Sequence, residues 1–561
     1  MSNNIMKSVE QSSMIHQKYD PQQTSDRTFF MDASNQNLTT IPSEILELKE
    51  LEEVHLENNQ IEEIPEDIQY LKNVRILYLN KNKLSKLCPQ LTSLGSLEGL
   101  DLSDNPLLPS SLLVLSGLRR LRELRLYRTQ LRKMPVELCK HLHHLELLGL
   151  SGNQLAALPV EIVNQTKLKE IYLERNQLEA FPPELCVLYN LEVIDLDENK
   201  LTVIPEEIGN LTRLRKLYVA RNDLHCLPES LCQCSQLSVL DLSHNRLHSI
   251  PPTLEGLSEM TELGLSGNPL EKVPRLVCRW TSLHLLYLSN TGLRALRRSF
   301  WRLVNLRFLD LSQNHLESCP LHICVLKNLE VLALDDNKIQ QLPSGFGSLS
   351  KLKTLGLTGN QFLTFPEELF SLESLEKLHI GQDQGAKLTY VPDKIRALQN
   401  LKELYIENNH LEYLPVALGS MPTLEILDCR HNLLKQLPDS ICQAQALKEL
   451  LLEDNLLTQL PDDLDCLVNL KALTLMGNPM EEPPVGVCTE GREAIFTYLK
   501  EKRNMKILAT KIQAWWRGMM VRKGLGKFEE LSKLRKKGKN SPKDKKGKKV
   551  EKGKPVKEKK K

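Results

Sequence analysis

Leu217-Tyr218-Val219-Ala220-Arg221-Asn222-Asp223-Leu224, closing on Leu227-Pro228, is the stretch that decides the fold. Leu217, Tyr218 and Val219 alternate inward and outward, the period of a short strand. Asn222 follows where the chain turns, and its carboxamide both donates and accepts hydrogen bonds. Pro228 ends the strand-side segment because it has no N–H to give to a ladder. The frame L-x-L-x-x-N-x-L-x-x-L-P recurs at a 23-residue step. Its asparagines are Asn59, Asn82 and Asn105, then Asn153, Asn176, Asn199, Asn222, Asn245 and Asn268, then Asn314, Asn337 and Asn360, then Asn409, Asn432, Asn455 and Asn478. Thr129 and Thr291 replace Asn at two rungs, and Asp383 at a third, before a three-residue insertion ending at Pro392. A weaker first rung falls at Gln36, so the frame predicts 20 repeats.

This frame resembles the leucine-rich repeat, and the short Pro-bearing version resembles the intracellular Ras-group type. The resemblance implies an α/β leucine-rich-repeat solenoid, a curved horseshoe with a parallel concave sheet. In such repeats the Asn satisfies backbone groups of the neighbouring turn that burial would otherwise leave unpaired. One repeat cannot bury its apolar face, but a stack can. The repeat therefore overrides the several domains that 561 residues would suggest. It assigns 28–488 to one solenoid, with a polar segment before it at 1–27. Twenty strands spaced about 4.8 Å apart give an inner arc of roughly 90 Å.

Composition constrains the surroundings. Residues 533–561 carry 16 Lys/Arg and 3 Asp/Glu, a net +13 against +2 for the whole chain, which leaves −11 for the remainder. The acidic solenoid and the basic tail are separate electrostatic objects. Cys139, Cys186, Cys232, Cys278, Cys324, Cys442 and Cys488 each stand four residues after a repeat Pro. A shared packing environment and reduced thiols follow, not a disulfide framework. Residues 1–27 have no apolar core typical of a signal peptide. No stretch is long and apolar enough to span a membrane. The expectation is a cytoplasmic protein, with association to cilia or the cytoskeleton as a variant.

After the last rung, Thr489 has the chemistry of a helix N-cap, and Ile495, Phe496 and Leu499 fall on one helical face. Residues 489–508 are expected to cap the open end of the solenoid. Next comes Ile512-Gln513-Ala514-Trp515-Trp516-Arg517-Gly518-Met519-Met520-Val521-Arg522. This segment resembles an IQ motif, which implies a helix over 509–526 that binds calmodulin or a calmodulin-like light chain. By that resemblance Ile512 fills a lobe pocket, Gln513 bonds the partner's backbone, Gly518 allows close approach, and Arg517 and Arg522 meet acidic groups. Independently of it, Ile512, Trp516, Met519 and Met520 form an apolar stripe among Lys511, Arg517, Arg522 and Lys523. Acidic, Met-rich grooves grip such helices. The plainer alternative is a basic helix packed on the solenoid end or lying on a membrane. The Lys-rich segment 527–561 reads as disordered and as either a solvated charge run or a weak contact for acidic surfaces. Nucleic acid is not favoured, because no aromatic residue follows Phe528.

No phosphate loop, zinc-helix or serine-elbow motif is present, and no catalytic residue, cofactor or metal ligand set is assigned. His141, His143 and His144 lack carboxylate or thiol neighbours at ligand spacing. The residue between the two strand leucines faces the concave side. There the order is Tyr172, Asp195, Tyr218, Asp241, Gly264, Tyr287 and Asp310, with Tyr78, Asp101, Tyr405 and Asp428 repeating the theme. Tyr is enriched at binding hot spots, so the Tyr and Asp of this column are candidate partner contacts. Equally, such residues simply suit strand positions in duplicated repeats. Solenoid and IQ segment together resemble the leucine-rich repeat and IQ domain-containing proteins. The combined expectation is a non-enzymatic scaffold holding a protein partner and calmodulin. A small-GTPase or phosphatase regulator, or a structural component of cilia, stands as the alternative.

Overall fold

The computed structural model describes residues 29–523. Twenty three-residue strands, from β1 (Phe30–Asp32) to β20 (Ala472–Thr474), make one parallel sheet. Register follows the repeat: Leu217 pairs with Leu240, and Tyr218 with Asp241. The insertion widens the step between Leu378 and Leu404 without breaking the sheet. The expectations for residues 1–27 and for 527–561 lie outside the described residues.

Each Asn joins two repeats. Asn222 Nδ2 donates to Leu196 O at 3.0 Å in the previous repeat and to Val219 O at 3.1 Å in its own. Its Oδ1 accepts Leu201 N at 2.9 Å. The chain reaches this geometry through a left-handed residue just before the Asn, Arg221 at φ 54° here. Thr129 and Thr291 have one hydroxyl proton and give it to their own repeat, at Leu126 O (3.0 Å) and Leu288 O (2.8 Å). The preceding rungs compensate. Asn105-Pro106 and Asn268-Pro269 turn back on themselves, with Leu107 N donating to Asn105 O at 2.9 Å and Leu270 N to Asn268 O at 2.8 Å. Asp383 does not fill an Asn site. It is exposed, and Gln382 is the buried residue of that rung, because the insertion alters the turn.

The return path is mostly single 3₁₀ turns, with two short α-helices, α1 (Ser43–Leu46) and α2 (Val136–His141). The sequence dictates this choice. Ile208, Leu211 and Leu214 recur every third residue, the pitch of a 3₁₀ turn, and all are fully buried. Leu217 and Val219 from the sheet meet them in one continuous apolar core. The periodic cysteines are buried or half-buried thiols, with no disulfide among the described residues. Burial pushes Cys139 and Cys186 up to about 12, so neither is a nucleophile at neutral pH.

At the C-terminus α3 (Val485–Thr489) ends the solenoid and α4 (Arg492–Lys523) begins. Thr489 is not the N-cap expected of it. It closes α3, donating to Gly486 O at 2.8 Å, and Gly491 at φ 97° makes the turn into α4. Ile495 and Leu499 do cover the last repeat and are fully buried.

The Asn bridge sets the first prediction. Asn222→Ala leaves the buried Leu201 N–H without its acceptor, while Leu196 O and Val219 O lose one of two donors and keep Asn199 and Asn245, and will cost about 1–3 kcal/mol in urea unfolding. Asn222→Thr will cost less, since one donor remains. Asp223→Ala, removing an exposed carboxylate paired with Arg246 at 2.8 Å, will cost under about 1 kcal/mol.

Candidate functional site

The helix α4 is unbroken from the cap through the segment resembling an IQ motif. As far as Lys523, the expected division between 489–508 and 509–526 is therefore a change of environment within one helix, and residues 524–526 lie outside the described residues. Its 32 residues extend for about 48 Å at 1.5 Å each. Its base is fixed by charge. Arg503 Nη1 lies 2.9 Å from Asp463 Oδ1 and 2.7 Å from Asp465 Oδ1, and Lys502 pairs with Glu482. Those carboxylates belong to the last two repeats, so the helix leaves the solenoid in a defined direction. Sequence reasoning missed this lock; its signal was the acidic run Asp462-Asp463 opposite the basic run Lys502-Arg503.

Beyond Lys506 the helix touches few of the other described residues. Ile512 is 63% exposed, Trp516 53% and Trp515 60%. Gln513, Arg517 and Arg522 are exposed, while Gly518 and Met520 are half-buried. Ile512, Trp516 and Met520 are spaced by four and share a face. The alternative of a helix packed on the solenoid end does not match this exposure. No helix among the described residues is long and apolar enough to cross a membrane. Gly518 is informative. A Cβ built there meets only Arg522 Nη2, at 3.8 Å. Gly in a helix interior costs about 1 kcal/mol relative to Ala, and no packing among the described residues requires it here.

The concave column is placed differently from its expectation. Tyr172, Asp195, Tyr218, Asp241, Tyr287 and Asp310 lie on the concave side as read, but none is more than 8% exposed. Parallel strands one repeat apart crowd these side chains against one another. Tyr287 and Phe308 have ring centroids 4.8 Å apart, and Tyr172 Oη donates to Glu170 at 2.7 Å. The aspartates accept the backbone N–H two residues on, Asp241 from Ser243 and Asp310 from Ser312, each at 2.9 Å. That bond ends the strand and explains Asp in the column without a partner.

The crowding buries neighbouring carboxylates as well. Burial, and then the Asp241 carboxylate, push Glu262 up to about 7. Burial does the same to Asp335 and Glu407, also to about 7. Among the described residues no three His, Cys, Asp or Glu converge as a metal site. The sign of the pH effect follows from folded values above the unfolded ones, near 4. The folded state holds extra protons between about pH 4 and 7, so stability is full below that window and falls as pH rises through it. The wild-type thermal midpoint will therefore drop between pH 5 and pH 8, and Glu262→Gln will lessen the drop. An unchanged drop in the variant would show that Glu262 ionises without cost.

Comparison with known proteins agrees with both parts of the chain. Leucine-rich-repeat profiles match residues 49–107, 119–178, 166–224 and 422–480, and a leucine-rich repeat region profile matches 281–411. The IQ calmodulin-binding motif profile matches residues 508–525. Among solved structures, a leucine-rich-repeat protein of Leptospira interrogans is 31% identical, with a TM-score of 0.53 over 76% of this chain and 95% of that one. The Arabidopsis receptor kinase HAESA ectodomain, in complex with an N-terminally extended IDA peptide hormone ligand, is 30% identical with a TM-score of 0.54, over 80% and 77%. Leucine-rich repeat and IQ domain-containing protein 4 of Homo sapiens is 80% identical over 96% of each chain. The Mus musculus protein of that name is 80% identical over 94% of this chain and 88% of its own. With a leucine-rich-repeat solenoid, an IQ motif and relatives 80% identical over nearly the whole length, the chain belongs to the leucine-rich repeat and IQ domain-containing protein 4 family.

Proposed function

We propose that this protein is a non-enzymatic scaffold whose solenoid holds a protein partner and whose α4 carries calmodulin or a calmodulin-like light chain. The observation that carries the reading is the free apolar face of Ile512 and Trp516 on a helix otherwise fixed to the last two repeats. A large apolar side chain left in water is costly unless something covers it. Arg517 and Arg522 flank that face and suit an acidic partner. The missing side chain at Gly518 suits close approach by a second backbone. The HAESA ectodomain, a solenoid of this kind, is complexed with a peptide ligand, which supports partner binding by the repeats. In this reading the Tyr and Asp column is the floor of the concave surface, not its contact layer.

The test is titration of the full-length protein with calmodulin, in chelator and in calcium, following intrinsic Trp fluorescence. Binding in chelator will shift the emission of Trp515 and Trp516 to the blue. Burying Ile512 is worth roughly 1.5–3 kcal/mol, so Ile512→Ala will weaken binding about tenfold or more. Gly518→Ala will keep or raise helicity by circular dichroism yet weaken binding. Equal affinity of Gly518→Ala and wild type would remove the argument from Gly518, and no binding in either condition would overturn the proposal.

A further inference from the structure

Residues 272–309 hold eight Lys/Arg and no Asp/Glu. That run lies inside a solenoid whose surroundings, the tail apart, are net acidic. The repeat places these residues together. Arg275 and Arg298 each follow the Leu-Pro position of their repeat by one residue, with Arg297 standing where Pro is usual. Arg279 and Arg302 each occupy the fifth position of the adjacent 3₁₀ turns Arg275–Arg279 and Arg298–Arg302. Stacking the repeats therefore sets four exposed arginines as a square on the convex face. Trp301 stands beside them, 50% exposed, with the Arg302 guanidinium 5.8 Å from its ring centroid. Val304, Leu321 and Val325, all exposed, continue the apolar surface onto the next repeat.

Several arginines elsewhere in the solenoid are paired. Arg75 pairs with Glu98, and Arg175 and Arg221 both pair with Glu198, each one repeat away. In this belt, among the described residues, only Arg279 has such a partner, Glu255. Among the described residues no carboxylate lies within 4 Å of Arg275, Arg294, Arg298 or Arg302. Arg297 is held in place by donating from Nε to Val273 O at 2.7 Å. It helps line an open cleft of about 520 Å³ with Lys272, Arg294, Leu296, His315 and one acid, Glu271.

Guanidinium forks recognise carboxylates, and an exposed Trp among arginines is the usual composition of a binding hot spot. From this composition we infer that the convex belt at Arg275–Val325 is a docking surface for an acidic protein segment bearing an apolar anchor. Its glutamates or aspartates meet the arginine square and the cleft, and its apolar residue covers Trp301 and Leu321. The inference rests on the reading of the solenoid as a protein-binding surface and is independent of calmodulin at α4.

The test uses the full chain and a short fluorescein-labelled polyglutamate peptide with one central phenylalanine. Affinity by anisotropy will fall about tenfold or more in Arg298→Glu/Arg302→Glu, and several-fold in Trp301→Ala. Replacing the central phenylalanine by serine will weaken binding to wild type but not to Trp301→Ala. Arg213→Glu, on another repeat, will leave affinity unchanged, and calmodulin binding by Arg298→Glu/Arg302→Glu will stay intact. Because the Lys-rich tail also attracts polyglutamate, a version of the peptide with benzoylphenylalanine is photocrosslinked. Adducts will map within 275–325. Adducts confined to the tail, or charge-reversal variants that bind as wild type, would overturn the inference. So would a belt-dependent preference for anionic phospholipid vesicles or single-stranded oligonucleotide over the peptide. A wild-type oligomer that dissociates in Arg298→Glu/Arg302→Glu would also overturn it, by making a second copy the occupant.

Discussion

Everything in this molecule depends on one carboxamide used again and again. An Asn at the strand-to-return turn donates to carbonyls of two successive repeats and accepts an N–H from the earlier one. Asn222 does this for Leu196, Val219 and Leu201. Without it, a buried turn would leave backbone groups unpaired at a cost of about 1–3 kcal/mol each. The bridge sets the repeat length, and the repeat length fixes the register of the sheet and the stacking of every column outside it. Where Thr intervenes, the preceding Asn-Pro pair closes its own turn, so the solenoid passes the defect without shifting register.

Stacked columns convert a sequence period into surfaces. On the concave side the columns crowd, and Tyr, Asp and Glu side chains seal one another from water at the expense of disfavouring the charged form of several carboxylates. On the convex side the repeats diverge, and side chains such as Trp301 remain open. At the end of the stack the last core face is closed by Ile495 and Leu499, and the same helix continues outward into solvent. Acidic residues of the last two repeats hold its base through Arg503 and Lys502. A bound calmodulin-type partner would then sit at a set distance and direction from the repeats, which is a useful property in a scaffold.

The fold was legible because the signal is periodic and redundant. A 23-residue step with Leu, Asn and Pro at fixed offsets admits one architecture, and the insertion before Pro392 shows in the spacing itself. The IQ segment was legible because its defining residues are contiguous. What escaped the sequence depends on contacts between distant positions. Alternation placed Tyr218 and Asp241 on the concave side but did not say that their neighbours would bury them. The local chemistry of Thr489 suited an N-cap, yet Gly491 makes the turn, since it alone adopts φ 97° without a Cβ penalty. Spacing put Asp383 on an Asn rung, whereas the added residues leave Gln382 inside.

The central claim is that the ladder-built solenoid is complete without its partner helix face, and that this face is left free for an acidic light chain. Hydrogen exchange of the full-length protein, with and without calmodulin in chelator, tests it most directly. The account predicts new protection confined to the outer half of α4, beyond Lys506, while the amides bonded to Asn Oδ1, such as Leu201 and Leu224, are already slow and do not change. Protection appearing across the repeats, with none beyond Lys506, would contradict it.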